Sequence, residues 1–327
     1  MTPTVLLSPL QAPNYIYLMN SLPILVVGSF VQDLTFSTPR FPAPGETVVG
    51  EFITGPGGKG SNQAVAAKRA GAEVIFIGAV GRDAFAKSVR EFYQVEGIDA
   101  PLAEYEDSAT GTAGILFNAE GENEIVVALG ANDRLQPSDV PDEILEKAGL
   151  LVCQLECNLG AVADILKRAG EKGVTRILNP APLRPELSAD LIELSDILIP
   201  NESEFLAVLR ILGLGDYSEA DLATMDGDEM HSLCRKIGPK TVLVTLGGNG
   251  VHLSTETEWK RIPAVANVKV VDTTGAGDAF VGAFAAGMQR YEGDLLKAAS
   301  FANRAAALSV TRKGTAPAMA TLAEIES

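Results

Sequence analysis

The sequence predicts an α/β protein with a doubly wound, mainly parallel sheet that carries helices on both faces, together with a small separate β-sheet. Three observations lead to this prediction. Short apolar runs alternate with helical segments along most of the 327 residues, which is typical of parallel strands joined by helices. Two extended runs follow one another without a helix between them. Polar residues recur where the apolar runs end, which is where such sheets bind ligands.

The predicted strands of the main sheet are apolar runs of five to seven residues, bounded by glycine, proline or polar residues. They are ILVVG from Ile24, VIFIGAV from Val74, LLVCQLE from Leu150, RILNPA from Arg176, DILIPN from Asp196 and TVLVTLG from Thr241. Helical spacing of apolar residues predicts the helices Ser61–Ala70, Ala84–Glu96, Leu159–Lys172 and Ser203–Leu212. The polar, Asp-rich stretch from Gly213 to Glu229 predicts an exposed loop.

The small sheet is predicted from extended segments that have no helix between them. GILFNA (Gly114–Ala119) and EIVVAL (Glu124–Leu129) are separated by the turn-like EGEN and are typical of a hairpin. Apolar and polar residues roughly alternate from Thr47 to Thr54, which favours a strand with one solvent-exposed face.

Composition narrows the classes of function. A formal charge of −16 argues against nucleic acid as a partner, because neutralising phosphates needs clustered Lys and Arg. The three cysteines, an odd count, fit a reducing compartment and predict a cytoplasmic protein. No histidine lies near Cys153 and Cys157 in sequence, so buried thiols are favoured over a zinc site. Residues 1–22 predict a loose N-terminal extension, with no signal peptide and no membrane span.

The stretch VDTTGAGDAFVGAFAAGM, Val271 to Met288, is the centre of the functional prediction. Small residues lead into a helix, and the free amides of a helix start, at the positive end of its dipole, accommodate an anion. A carboxylate at Asp278 would repel that anion unless it accepts a proton from an attacking hydroxyl, as in phosphoryl transfer. The alternative is an ordinary first-turn Asp after a glycine turn.

Three other stretches each admit a functional and a structural interpretation. GPGGKGSNQ (Gly55–Gln63) fits neither a dinucleotide fingerprint nor a Walker loop. In the functional interpretation Lys59 and Asn62 are donors for a hydroxyl-rich ligand. In the structural one the stretch is a turn with a solvated lysine. IPNESE offers magnesium-orienting groups at Asn201 and Glu204, or a helix cap. TLGGNG (Thr245–Gly250) allows close approach of a nucleotide, or forms a hairpin turn.

Near the end of the chain, FANRAAALSVTRKGTAPA predicts an alanine-rich helix that breaks at Gly314. The carbonyl groups at such an ending can bind a monovalent cation. An ordinary helix stop is the alternative.

Taken together, the ordered set GPGGKGSNQAVAA, LNPAP, PNESE, TLGGNG, VDTTGAGDAFVGAF and VTRKG resembles the ribokinase and carbohydrate kinase family, sometimes named after a minor phosphofructokinase. The resemblance runs from about Ile24 to Pro317. It implies a single ribokinase-like domain over residues 23–327, with a β-lid from about 33–55 and 110–130 that commonly supplies a homodimer interface. It also implies ATP-dependent phosphorylation of a sugar hydroxyl, with Mg²⁺ and an activating K⁺.

Residue by residue, the resemblance implies five groups of functional positions. Sugar-binding positions are Asp33, Gly58, Lys59, Asn62 and Glu156. Asp278 is implied to be the general base, with amides donated to the phosphoryl group by Gly275, Ala276 and Gly277. Positions along the nucleotide are Asn201, Thr245, Gly247, Gly250 and Asn303. Glu204 is implied to act through Mg²⁺ and its waters. Positions around K⁺, several through backbone carbonyls, are Asp272, Thr274, Ser309, Arg312, Gly314 and Ala318.

One position departs from the family pattern. After the first strand the family often has Gly-Ser-x-Asn-x-Asp, whereas this chain has GSFVQD with Val31 in the Asn position. An isopropyl group forms no hydrogen bond, and an unpaired buried sugar hydroxyl costs about 1–3 kcal/mol. Ribose is the first prediction, and Val31 keeps open a deoxysugar, a nucleoside or another pentose. A non-catalytic ligand-binding regulator is the alternative from another class.

Overall fold

A computed structural model describes residues 22–327 and contains an eight-stranded main sheet. Its strand order is β14-β13-β12-β11-β10-β9-β1-β4. Strands β4, β1, β9, β10, β11 and β12 are parallel to their neighbours, and β13 and β14 are added antiparallel. These strands are β1 (Ile24–Val27), β4 (Val74–Ile77), β9 (Leu150–Cys153), β10 (Thr175–Leu178), β11 (Ile197–Leu198), β12 (Thr241–Thr245), β13 (Val251–Ser254) and β14 (Trp259–Ile262). The predicted mainly parallel sheet is confirmed.

Helices cover both faces of this sheet, as predicted. They are α1 (Lys59–Arg69), α2 (Ala84–Glu96), α3 (Asp142–Leu145), α4 (Leu159–Glu171), α5 (Ala189–Glu193), α6 (Glu202–Ile211), α7 (Glu219–Thr224), α8 (Gly227–Ile237), α9 (Ala276–Arg290), α10 (Leu295–Ser309) and α11 (Leu322–Glu326).

The central strands are buried on both faces, because successive side chains of a strand point to opposite sides. In β1, Ile24 and Val26 pack into one core with apolar side chains of α1, α9 and α10, including Phe284. Leu25 and Val27 pack into a second core with α4, α6 and α8, including Phe205. The two cores fix the helices on either side of the strand ends that carry the polar residues.

The small sheet has four strands in the order β3-β2-β7-β8. They are β2 (Val31–Ser37), β3 (Glu51–Gly57), β7 (Thr112–Phe117) and β8 (Asn123–Ala128). The predicted hairpin is β7–β8, and β2 pairs in parallel with β7. Strand β3 lies later than the predicted Thr47–Thr54, and it includes Gly55–Gly57 because these residues pair with β2 up to Val31. We call this sheet the lid sheet.

Two other predictions are corrected. The predicted loop Gly213–Glu229 contains α7, which Ser218 caps and Leu222 anchors at 4% exposure, and Asp226 caps α8. Side-chain caps of this kind stabilise short helices in polar sequence. The predicted single strand Val74–Val80 is divided, since β5 (Ala79–Gly81) leaves the main sheet to pair with β6 (Ala103–Tyr105).

The prediction for residues 1–22 lies, apart from Leu22, outside the described residues. Within residues 22–327 no helix is both long and apolar enough to cross a bilayer.

Candidate active site

Predicted site residues from four parts of the chain line one cavity of about 140 Å³ at the carboxyl ends of the parallel strands. The cavity lies between the starts of α1, α6 and α9 and the end of β12, which is where ligands bind in open α/β sheets. The predicted residues among its lining are Lys59, Asn201, Glu204, Thr245, Gly275, Ala276, Gly277 and Asp278. A wider groove of about 460 Å³ adjoins it at Asn201 and lies against Glu219 and Arg261.

The start of α9 forms the anion-binding part of this cavity. Gly275 precedes the helix with φ of 78°, in the left-handed region that favours glycine, and it offers no side-chain cap. A Cβ added at Gly277 would meet nothing within 4 Å, so open space lies in front of the first turn. First-turn amides at the positive end of this 15-residue helix therefore face open space that a phosphoryl group can occupy, although the Ala276 amide donates to the Thr273 carbonyl at 3.2 Å.

Asp278 is held in this first turn by two side-chain amides from α1. Asn62 Nδ2 donates to Asp278 Oδ2 and Gln63 Nε2 donates to Oδ1, both at 3.0 Å. The residue is only 7% exposed. Burial raises the pKa of Asp278 above its usual value, although the Lys59 charge and the two amide donors act in the opposite direction. The carboxylate is thus oriented and made a better proton acceptor.

Lys59 stands among the acidic residues of the site. Burial by itself would lower the pKa of Lys59, but the charges of Asp278, Glu156 and Glu204 outweigh it and raise that pKa. Glu156 Oε2 accepts hydrogen bonds from the Ser29 hydroxyl at 2.6 Å and from the Lys59 amide at 2.9 Å. The Lys59 ammonium therefore stays charged and partly neutralises three carboxylates that would otherwise repel a phosphate.

The predicted sugar-binding residues meet where β2 runs beside the start of α1. Burial, and then the charge of Glu156, raise the pKa of Asp33 to about 7. Gly58 has φ of 91°, and a Cβ there would lie 2.7 Å from the Val31 nitrogen, so the close passage of the two segments requires glycine. The Oδ1 atom of Asn62 is buried and has no hydrogen-bond partner within residues 22–327. Such an orphaned acceptor fits a ligand hydroxyl.

Val31 lies on the same face of β2 as Asp33, since the two are separated by one residue. Its side chain is 2% exposed, and it pairs across the lid sheet with Gly57. The polar neighbour that the family pattern often has at this position is thus replaced here by a buried apolar surface.

Asn201 and Glu204 form a reciprocal helix cap at the start of α6. The Glu204 amide donates to Asn201 Oδ1 at 2.8 Å, and the Asn201 amide donates to Glu204 Oε2 at 2.9 Å. The capping alternative is therefore realised, while both side chains also line the cavity. Burial raises the pKa of Glu204, which is 8% exposed.

The predicted nucleotide positions are placed differently from one another. Thr245 ends β12 and lines the cavity, and Gly247 and Gly250 form the turn of the antiparallel β12–β13 hairpin. A Cβ at Gly250 would lie 2.0 Å from the Ile262 carbonyl oxygen. Asn303 lies on α10 outside the cavity lining, where its amide donates to the Pro263 carbonyl at 2.8 Å.

The predicted cation positions lie on two segments that Asp272 joins. Asp272 Oδ1 accepts from the Thr274 amide at 2.9 Å, and Oδ2 accepts from the Gly314 amide at 3.0 Å. The Val310 carbonyl, at the end of α10, accepts from the Val271 and Asp272 amides. Burial opposes ionisation, but these hydrogen bonds outweigh it and lower the pKa of Asp272. The junction is therefore anionic and ordered by backbone donors.

The side chains of the other predicted cation positions are engaged elsewhere. The Ser309 hydroxyl donates to the Ala306 carbonyl within α10, and Arg312 pairs with Glu324. The Ala318 amide donates to the Thr315 carbonyl at 3.0 Å, and Ala318 is buried. These positions can offer backbone carbonyls to a cation.

Sequence reasoning missed Gln63 and Gln154 as members of the site. Gln63 Nε2 also donates to Asn179 Oδ1 at 3.0 Å, and Gln154 Nε2 donates to Gln63 Oε1 at 2.6 Å. Gln63 directly follows Asn62, and it is a polar residue in a helix whose residues 60 to 67 are buried. Ser61 and Asn62 beside it are polar and buried as well, so no local sequence signal distinguishes Gln63, and its role is seen only in the fold.

Comparison with known proteins shows the family to which the chain belongs. Residues 22–322 match the model of the pfkB family carbohydrate kinases. The chain is 35% identical over 307 residues to a ribokinase of Staphylococcus aureus (strain COL), covering 92% of this chain and 98% of the relative. It is 36% identical over 296 residues to a deoxyribokinase of Salmonella typhimurium, covering 89% and 94%.

Among solved structures, an Arabidopsis thaliana ribokinase complexed with ribose and ATP superimposes with a TM-score of 0.82 at 30% identity. The match covers 93% of this chain and 97% of that one. The family match spans almost the whole of the described chain and includes both glycine-rich stretches that meet at Asp278. This chain therefore belongs to the pfkB family of carbohydrate kinases.

Proposed function

We propose that this protein is an ATP-dependent kinase that phosphorylates the 5-hydroxyl of D-ribose to ribose 5-phosphate. The observation that carries the proposal is the position of Asp278. This buried carboxylate lies in the first turn of α9 and accepts hydrogen bonds from two side chains of α1. The Staphylococcus aureus ribokinase and the Arabidopsis ribokinase bound to ribose and ATP support ribose as the acceptor.

In the proposed reaction the oxygen of the ribose 5-hydroxyl attacks the γ-phosphorus of ATP, and Asp278 accepts the proton of that hydroxyl. The new O–P bond forms while the bond from phosphorus to the β,γ-bridging oxygen breaks, and that electron pair leaves with ADP. The amides of Gly275, Ala276 and Gly277 stabilise the transferring group, and the Ala276 amide exchanges its bond to the Thr273 carbonyl for one to a phosphoryl oxygen. Lys59 offsets the acidic charges nearby. Positioning and charge neutralisation carry most of the rate, because an aspartate is a weak base.

The sugar is held, in this proposal, by Asp33, Gly58, Lys59, Asn62 and Glu156. Asn62 Oδ1 has no hydrogen-bond partner among residues 22–327, and burial raises the pKa of Asp33; both groups suit sugar hydroxyls. The nucleotide lies along Asn201, Thr245, Gly247, Gly250 and Asn303. Three of these, Thr245, Gly247 and Gly250, lie at or beside the β12–β13 turn, where glycine allows close backbone approach.

Glu204 fits the proposed Mg²⁺ role, because it is a buried carboxylate that lines the cavity beside Asn201 and Asp278. Oxygen ligands and ordered waters are what Mg²⁺ prefers. A bound Mg²⁺ supplies charge neutralisation to the nucleotide phosphates. Glu204 itself holds its position through the α6 cap.

The proposed K⁺ site lies at the junction of residues 272–274 and 309–318. It fits the residues present because the Asp272 carboxylate is anionic and joins the two segments, and because carbonyls of this region are oriented by local hydrogen bonds. Residues 272–274 of this junction directly precede Gly275, the residue before α9.

A second candidate substrate is 2-deoxyribose, and Val31 favours it. A buried isopropyl group beside Asp33 leaves a sugar hydroxyl unpaired, whereas it packs against a methylene without that penalty. The similarity to the Salmonella typhimurium deoxyribokinase agrees with this candidate.

A homodimer through the lid sheet and a cytoplasmic location complete the proposal. Strand β8 is exposed along its whole length, and Val126, which lies on the same face of the lid sheet as Phe36 and Phe52, is 74% exposed. Phe36 and Phe52 lie beside each other on β2 and β3, with ring centroids 5.0 Å apart. An exposed apolar sheet face of this kind is typical of an interface.

The deciding experiment is a substrate panel with ATP and Mg²⁺, with the products identified by mass spectrometry and NMR. We expect transfer to ribose or 2-deoxyribose that far exceeds transfer to fructose and nucleosides. The ratio of the two kcat/KM values assigns the sugar. Absence of sugar-dependent ATP consumption across the panel would overturn the kinase proposal in favour of a ligand-binding regulator.

A further inference from the structure

Gln63 lies at the centre of a chain of buried amide side chains that connects Asp278 to Glu204. Its Nε2 donates to both Asp278 Oδ1 and Asn179 Oδ1 at 3.0 Å. Gln154 Nε2 donates to its Oε1 at 2.6 Å. At the other end, Asn179 Nδ2 donates to the Ile199 carbonyl at 2.9 Å and approaches Glu204 Oε2 at 3.5 Å. The side chain of Gln63 is fully buried.

The acceptors at the two ends determine the orientation of every amide in this chain. An ionised carboxylate only accepts, so the Gln63 atom facing Asp278 is its nitrogen, and its oxygen faces Gln154. The same nitrogen faces Asn179, whose oxygen must therefore point to Gln63 and whose nitrogen points to the Ile199 carbonyl. A flip of any single amide would bring two acceptors or two donors together.

The backbone is shaped to admit this chain. A Cβ at Gly28 would lie 2.0 Å from Gln154 Oε1, so glycine at the end of β1 makes room for the Gln154 side chain. Gln154 Oε1 has no hydrogen-bond partner within the described part of the chain. An unpaired buried acceptor costs free energy. Gln154 Oε1 is left unpaired because the Gln154 amide directs its nitrogen, Nε2, to Gln63 Oε1.

Two neighbouring residues of α1 donate hydrogen bonds to different oxygens of Asp278: Gln63 to Oδ1 and Asn62 to Oδ2. Together they fix the plane of the carboxylate relative to the start of α9. Asn62 is also a proposed sugar contact, through its Oδ1 atom, which has no hydrogen-bond partner within residues 22–327. Gln63 makes its contacts within the protein, which leaves it as the permanent support.

We propose that Gln63 is a positioning residue that holds the Asp278 carboxylate ionised and correctly oriented for proton acceptance, with Gln154 fixing the orientation of Gln63. This inference rests on the proposed kinase function. Gln63 touches neither the sugar nor ATP in this proposal and acts through Asp278. The charged groups that face Asp278 are Lys59 on α1, Glu156 after β9 and Glu204 on α6.

The test compares Gln63→Leu, Gln63→Glu and Gln154→Leu with the wild-type protein by steady-state kinetics over pH 5–9. We expect Gln63→Leu to lower kcat by about 10-fold or more, as loss of an oriented donor does, with little change in the KM for sugar. The acid limb of its kcat/KM profile should move to higher pH, because one donor that favours the ionised form is gone. Gln154→Leu should show a smaller effect in the same direction.

Gln63→Glu supplies a signature that a purely structural role does not. The new carboxyl group lies against the acceptors of Asp278 and Asn179 and can donate only when protonated. Its activity relative to wild type should therefore be highest at low pH and fall as pH rises. Gln94→Leu on the exposed face of α2 is the control, with wild-type kinetics expected.

Melting temperatures and sugar dissociation constants of all four variants separate a positioning effect from misfolding. If Gln63→Leu fails to fold, the pH signature of Gln63→Glu and the graded effect of Gln154→Leu still decide the question. Wild-type kcat and an unshifted profile in both Gln63 variants would overturn the inference while leaving the kinase intact. A wild-type protein that transfers no phosphate to any sugar would instead overturn the proposed function.

Discussion

The side-chain amide of Asn62 donates to Asp278 Oδ2 at 3.0 Å, although 216 positions separate the two residues. Gly282 makes this contact possible, because a Cβ there would lie 2.3 Å from the Gln63 carbonyl oxygen and 2.6 Å from the Ala66 Cβ. Helices α1 and α9 can therefore pack with their backbones close together, and the early glycine-rich stretch and the late one form a single site.

Replacement of Asp278 by Asn tests the base role. The variant keeps the shape of the side chain but does not accept a proton, so kcat should fall by about 10²-fold or more. The dissociation constant for sugar, measured by calorimetry, should stay within a few-fold of wild type. Asp190→Asn, at an exposed position in α5, serves as the control. Near-normal turnover by Asp278→Asn would remove this residue from the base role.

Replacement of Val31 by Asn tests the choice between ribose and 2-deoxyribose. A hydrogen-bonding side chain at this buried position should raise the ratio of kcat/KM for ribose over deoxyribose by about 10-fold, within the range that a buried hydrogen bond provides. Val31→Thr is the matched variant, because it keeps the branched shape and adds one hydroxyl. If neither variant changes the ratio, Val31 does not contact the sugar position that distinguishes the two.

Asp33 should make sugar binding depend on pH near neutrality. Because the pKa of Asp33 is raised to about 7, the fraction ionised, and able to accept hydroxyl donors, rises about tenfold from pH 6 to pH 8. The sugar dissociation constant should fall by up to that factor over this interval. Asp33→Asn should bind more weakly and with no such pH dependence.

The same residue predicts a change in stability, with the sign set by the raised pKa. Between the unfolded value of 3.8 and about 7, the native state binds more protons at Asp33 than the unfolded state does. Its stabilising contribution is therefore complete below the unfolded pKa and is lost as pH rises through 7. The melting temperature of Asp33→Asn relative to wild type should rise from pH 5 to pH 8. An unchanged difference would contradict the burial of Asp33.

The sequence predicts the main sheet well because its strands are continuous apolar runs, as in β1 and β9, which need burial on both faces. It predicts the late glycine stretch as a helix start because Gly275 and Asp278 mark both the turn and the first helical residues. Strand β3 is placed later than predicted, since Gly55 to Gly57 are poor strand formers that only cross-strand pairing with β2 keeps extended.

The amide chain behind Asp278 was not predictable, because Gln63, Gln154 and Asn179 come from three distant segments and form no local pattern. Their partners depend on how the ends of β9 and β10 meet α1 in space. Likewise, nothing in the sequence separates a capping Glu204 from a cavity-lining one, and the structure shows that one carboxylate does both.

Replacement of Asp272 by Asn tests the junction of the proposed K⁺ site. The Asn side chain keeps one acceptor but turns an NH₂ group toward the amide of either Thr274 or Gly314, so one hydrogen bond to a charged acceptor is lost. Such bonds contribute about 1.5–3 kcal/mol, and a partly exposed position gives the lower part of that range. The K⁺ concentration for half-maximal activity should rise by about 10-fold, measured with KCl replacing NaCl at constant ionic strength. Asp226→Asn is the matched control, since Asp226 caps α8 and Asn also caps helices well.

Because the pKa of Asp272 is lowered, the advantage in melting temperature of the wild type over Asp272→Asn should persist at neutral pH and disappear only as pH falls below about 4. A variant with the wild-type response to K⁺ would show that the cation, if it binds, does so away from this carboxylate.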